Sequence, residues 1–264
     1  MIAAWAMAAI VITAGSEPPA STSPAPAVES TPAAPATTAV EAAAFERRLE
    51  AVDAAMAGVV DLRADFEQRR HTPLLKRPLT SKGVVVSMGD RVRWDTTAPR
   101  PSSLVVGGGS ISVYYPEDRL LEAYPVNEGF RDMAGGPLPR LSELRKRFDI
   151  APLTPGAGES GEKVLEIRLT PKSEELRAHV ESIEVVIDEA RPAARRVTIT
   201  DPDGERTEID FRNVRLNTGV KVGEVELKVP PGTRVSRPLG DTSSGDAGGP
   251  SGSGRGTMAE GERP

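Results

Sequence analysis

The chain has 264 residues, 38% apolar, 4% aromatic and 27% charged, with a formal net charge of -5 and an isoelectric point near 5.3. That balance supports one mostly aliphatic core and gives the chain as a whole no cationic footprint for nucleic acid or an anionic membrane. Cysteine is absent, which excludes disulfides, thiolate metal sites, cysteine nucleophiles and an amino terminus lipidated on cysteine.

Ile2 to Ala14 is an apolar run too short to span the ~30 Å core of a bilayer, and it closes on the small residues Thr13, Ala14 and Gly15. Residues 1–15 therefore read as a signal peptide cleaved near Gly15, although no Lys or Arg precedes Phe45. Residues 16–40 are Pro, Ala, Ser and Thr, too poor in apolar area to offset ordering entropy, and read as a disordered spacer. From Glu41 to Gly58, Phe45, Leu49, Val52 and Met56 fall on one helical face, predicting an amphipathic helix ended by Gly58.

Val59 to Val126 is a succession of extended segments with no room for a helix. Val60, Leu62, Ala64 and Phe66 alternate with Asp61, Arg63, Asp65 and Glu67, a strand with one dry and one charged face. Strands are predicted next at Leu79–Met88, Arg91–Thr96, Ser102–Val106, Ile111–Tyr115 and Arg119–Tyr124, joined by turns too short for anything but antiparallel pairing. Val92 with Trp94, and Ile111, Val113 with Tyr115, continue the dry face, and Tyr114 falls on the wet one. A glycine-rich loop around Met133, Gly135, Gly136 and Pro137 leads to a second helix over Leu138–Phe148 with Leu141, Leu144 and Phe148 as its stripe. Further strands are predicted at Lys163–Thr170, Val180–Asp188, Ala194–Asp201, Glu205–Val214 and Glu224–Val229, with a tight hairpin at Asp201–Gly204. Residues 236–264 read as a disordered Gly/Ser tail, so that one domain occupies residues 41–235.

Catalysis finds no constellation in this pattern. His71 and His179 lie far apart and read as ordinary surface residues rather than bases or metal ligands. Gly107–Gly109 is followed by neither Lys-Ser/Thr nor a helix, and no serine sits in a Gly-x-Ser-x-Gly elbow. The basic pairs Arg69–Arg70 and Arg195–Arg196 read as solvated strand faces. No enzyme activity, metal or cofactor is expected.

The ordered series Phe66-Glu67-Gln68, Pro78-Leu79-Thr80-Ser81, Arg93-Trp94, Tyr115-Pro116, Leu169-Thr170-Pro171-Lys172, Asp210-Phe211 and Pro230-Pro231 resembles the LolA family of periplasmic lipoprotein carriers. The resemblance spans Phe45 to Val235 and implies an α+β fold: one curved antiparallel sheet forming an unclosed half-barrel, covered by helices over a hydrophobic cavity. It makes Leu62, Phe66, Val92, Trp94, Val113, Tyr115, Leu141, Leu144 and Phe148 candidates for lining that cavity. Members of the family hold the lid shut with the arginine of an Arg-Pro pair before the tryptophan; Met88 and Gly89 stand there in this chain, leaving Arg91 or Arg93 as substitutes.

By the same resemblance the protein would be a monomeric periplasmic chaperone. It would take acylated lipoprotein or other lipid cargo from an inner-membrane donor complex and pass it to an outer-membrane acceptor. The lipidated cysteine of the related membrane-anchored receptors is missing, which favours a soluble carrier. A lipid- or peptide-sensing regulatory module on the same fold is the competing expectation.

Overall fold

The computed structural model describes residues 36–125, 140–153 and 163–238. The expected signal peptide, the spacer up to Pro35, the glycine-rich loop and the tail beyond residue 238 lie outside the described residues. A long helix, α1 (Ala36–Ala57), precedes twelve strands. The first six are β1 (Asp61–His71), β2 (Leu79–Met88), β3 (Arg91–Ala98), β4 (Ser102–Gly107), β5 (Ser110–Tyr115) and β6 (Leu120–Pro125). A short helix α2 (Leu141–Arg147) runs directly into β7 (Phe148–Pro152), which is followed by β8 (Val164–Pro171) and a single turn α3 (Glu174–Arg177). The chain then forms β9 (Ser182–Asp188), β10 (Ala193–Thr200), β11 (Arg206–Leu216) and β12 (Arg234–Ser236).

All twelve strands form one sheet in the order β12-β6-β5-β4-β3-β2-β1-β11-β10-β9-β8-β7. Every pairing is antiparallel except β12 with β6. The sheet does not close, since β7 and β12 are its two edges. Its inner face carries the main core: Leu49, Val52 and Met56 of α1 and Leu141 and Leu144 of α2 lie on Leu62, Val85, Val113, Ile167 and Ile209, all buried. Burial of the three α1 side chains alone is worth about 6 kcal/mol, enough to hold an amphipathic helix that would be marginal in isolation.

The structure corrects several expectations. The helix begins at Ala36 rather than Glu41, because Pro35 is the last proline and every later residue up to Gly58 can donate its amide. Val60 is 67% exposed; it belongs to the turn before β1, with its amide held by Asn217 Oδ1 at 2.8 Å. Tyr114 is buried on the outer face. The second helix is shorter than predicted, and Phe148 opens β7, where pairing with β8 draws the backbone out. The predicted strand Glu224–Val229 does not form. Both edges of β1, β2 and β3 are already occupied, so this segment crosses the outer face unpaired, and only Arg234–Ser236 beyond it pairs, at the free edge of β6, as β12.

That crossing segment, residues 217–233, acts as a strap. Val220 and Val225 pack on Val86, with Val84 and Met88 beside them, in a second small core. β2 is thus covered on both faces, Val85 facing the main core and Val86 the strap.

Candidate functional site

Three aromatic rings make the floor of the inner face. Phe66 and Trp94 meet edge to face with centroids 5.0 Å apart, and Phe211 of β11 stands 5.8 Å from Trp94. The Phe66 ring needs Gly83 opposite it on β2: a Cβ there would lie 1.9 Å from the Asp95 carbonyl oxygen and 2.9 Å from the ring. All nine predicted lining residues belong to one continuous buried cluster. Phe66 and Trp94 touch directly; Leu141 and Leu144 reach the cluster from α2, and Phe148 from β7.

An open cleft of about 770 Å³ lies beside this cluster, between residues 41–48 of α1 and the edge strand β7 with its neighbour β8. Phe45, Ile150, Leu153 and Leu165 supply apolar lining, and Glu41, Glu46, Arg48 and Glu166 also line it. Its size falls in the range of ligand pockets, and a mostly apolar lining with charged groups in it suits an amphiphile. None of these wall residues was singled out as lining from the sequence, because β7 was not recognised and the cleft exists only where it meets α1. Tyr115 borders a different hollow, of about 130 Å³, at the opposite end of the strands with Arg70, Leu79, Pro99 and Pro101.

The covering helices are tied to one another by side chains. Asp53 Oδ1 of α1 accepts from the Leu141 and Ser142 amides at 2.8 and 3.3 Å, capping α2, whose own Arg140 provides no side-chain cap. Glu46 pairs with Arg145 of α2, and Arg48 reaches Glu189 at 2.8 Å and the Val164 carbonyl at 2.7 Å. Arg91 and Arg93, the expected substitutes for a lid arginine, face the other way. Arg91 Nη1 bonds Glu226 Oε1 at 3.1 Å, and Arg93 Nη1 donates to the Glu226 carbonyl at 2.7 Å and pairs with Asp95. Both fasten the strap.

Asp61 anchors that strap at its start. Its carboxylate accepts from the Thr218, Gly219 and Val220 amides at 2.7, 2.9 and 3.3 Å and from the Thr218 hydroxyl at 3.1 Å. Burial alone would raise its pKa, but these donors outweigh it and hold the carboxyl below its ordinary value. Elsewhere on the outer face Arg69, expected to be solvated, is half-buried among Asp210, Glu208 and Glu67, and Arg196 also pairs with Asp210. The two histidines are half-buried rather than fully open. His71 Nε2 has no hydrogen-bond partner and stands 3.9 Å from Glu208. Among the described residues no group of His, Asp and Glu is placed to hold a metal ion.

The fold is an unclosed half-barrel with two helices over its inner face and an apolar cleft between α1 and the β7 edge. The chain belongs to the LolA family: the model described as outer membrane lipoprotein carrier protein LolA matches residues 57–223. A search of curated proteins finds no match. Among solved structures, an uncharacterized conserved protein from Thermus thermophilus is similar at 12% identity and TM-score 0.45, over 75% of this chain and 99% of that one. A putative outer membrane lipoprotein-sorting protein domain from Vibrio parahaemolyticus gives 14% identity and TM-score 0.40 over 69% and 97%. A LolA superfamily protein from Nitrosomonas europaea gives 13% and 0.40 over the same shares.

Proposed function

We propose that this chain is an exported periplasmic carrier that holds the acyl chains of lipoproteins or other lipids and hands them to an outer-membrane acceptor. The observation that carries this reading is the apolar cleft under α1, in a chain of the LolA family. At roughly 0.8 kcal/mol per buried methylene, exposing one sixteen-carbon acyl chain to water costs about 12 kcal/mol. Release into solvent is therefore too slow to be useful, and cargo passes directly from an inner-membrane donor and into an acceptor docked at the cleft.

Loading begins between Phe45 and Leu165 and proceeds by displacement of α2. As α2 lifts, Leu141 and Leu144 uncover the floor formed by Leu62, Phe66, Val92, Trp94, Val113 and Tyr115, with Phe148 of β7 at its edge, and the nine residues become lining. Native mass spectrometry of the purified chain should show copurifying lipid, and a fluorescent fatty-acyl probe should bind and be displaced by it. Ala44→Trp, which fills the cleft from α1, should weaken probe binding at least about tenfold with little change in thermal midpoint. Absence of both lipid and probe binding in the parent chain would end this reading.

A further inference from the structure

The turn between β1 and β2 carries a feature that the cleft does not explain. The Leu75 amide donates to the Thr72 carbonyl at 3.1 Å, closing a turn with Pro73 in its second position, where the ring's fixed φ suits it. Leu74 is thereby held outward, 91% exposed, with Leu75 47% exposed behind it. Single exposed leucines are common; two in succession, fixed by a turn and followed by Lys76 and Arg77, form a patterned tip.

Neither of those cations makes an ion pair or hydrogen bond among the described residues. Two neighbouring cations at this end of the strands are matched: Arg70 pairs with Glu205, and Arg100 with Glu117 and Asp118. No Asp or Glu occurs between Gln68 and Gly89. The net charge of -5 keeps the surface as a whole from adhering to anionic lipid, so the tip's two adjacent cations act as a local positive patch.

We propose that the β1–β2 turn is a membrane-contact element: Leu74 and Leu75 enter the headgroup region of an anionic bilayer while Lys76 and Arg77 sit against lipid phosphates. Exposed apolar side chains beside unpaired cations are what an anionic interface selects, through apolar burial plus attraction to its surface potential. Two leucines and two cations give weak, reversible adhesion, which suits a protein that must leave the membrane again. The tip lies at the strand ends where Arg70 pairs with Leu79 and Thr207, whereas the cleft opens beside Pro152 and Val164 at the other end. Contact through the tip leaves the cleft uncovered.

The test is cosedimentation of the full chain with vesicles of phosphatidylcholine alone and of phosphatidylcholine mixed equally with phosphatidylglycerol. Binding is expected to the mixed vesicles, several-fold weaker to the neutral ones, and lost near 0.5 M salt, where screening acts within about 4 Å. L74S/L75S should lower partitioning at least about tenfold and K76E/R77E should reduce it to the neutral-vesicle level, both with unchanged thermal midpoints. Val222→Ser, at an exposed valine elsewhere, should change nothing. Mixed-vesicle binding that survives either double substitution overturns the proposal. So does failure of the unaltered chain to bind vesicles while a photoreactive residue at position 74 captures a protein instead.

Discussion

The sheet is covered on both faces, and the two covers are built differently. On the outer face the strap is fastened by a buried carboxylate with four donors, by Arg63 to Glu224 and by Arg91 and Arg93 to Glu226, over closely packed valines. On the inner face α1 and α2 rest on the core but are joined to each other by one cap and one exposed ion pair, and they leave an open cleft at the sheet's edge. Polar bonds with no alternative partner and no adjacent void make a cover permanent. A cover with space beside it and few latches can be moved at small cost. The proposed carrier role needs both, since its wall must stay while α2 moves.

The largest effects should come from the strap. Val225 is fully buried against Val86 and Val220, so Val225→Asp should cost about 4 kcal/mol in denaturant unfolding, because a charge is left there without a partner. Asp61→Asn should cost about 2 kcal/mol, since an amide cannot satisfy all four donors. It should also change the pH profile. The folded pKa of Asp61 is depressed, so its contribution is complete above about pH 4 and is lost as pH falls through the lower folded value. Stability measured from pH 5 down to pH 2 should therefore fall less steeply in Asp61→Asn. An unchanged slope would show that the strap's anchor is not the carboxylate.

The meander from β1 to β6 was legible because alternation and connections of two to seven residues leave antiparallel pairing as the only outcome. The strap was hidden by the same rule. Val225, Leu227 and Val229 alternate like a strand, and only the filled edges of the sheet show that no strand can form there. A local signal for it did exist: Val84-Val85-Val86 is a continuous apolar run, the mark of a strand buried on both faces. The aromatic floor was partly visible in Phe66 and Trp94, while Phe211 joined it through the pairing of Phe66 with Phe211 across β1 and β11. The cleft was not visible, because Phe45, Ile150 and Leu165 come from three distant segments and β7 is too short to show a period.

The inner latches should give smaller losses of stability and larger changes in exchange. Asp53→Ala removes the α2 cap and should cost about 1 kcal/mol, yet it should speed dissociation of a bound acyl probe several-fold, because α2 frays before the sheet does. Arg145→Ala removes a pair in which both side chains are more than 40% exposed, which predicts under about 0.5 kcal/mol and a smaller increase in the dissociation rate. Salt separates the two latches. The Arg145–Glu46 pair is screened in solution, whereas the Asp53 carboxylate bonds backbone amides at close range. High salt should therefore reproduce the Arg145→Ala rate in the unaltered chain and add nothing to Arg145→Ala itself, while Asp53→Ala should exceed both at every ionic strength. Equal rates for the two variants in salt would mean that α2 is held by its leucines alone and that the cap plays no part in closing the lid.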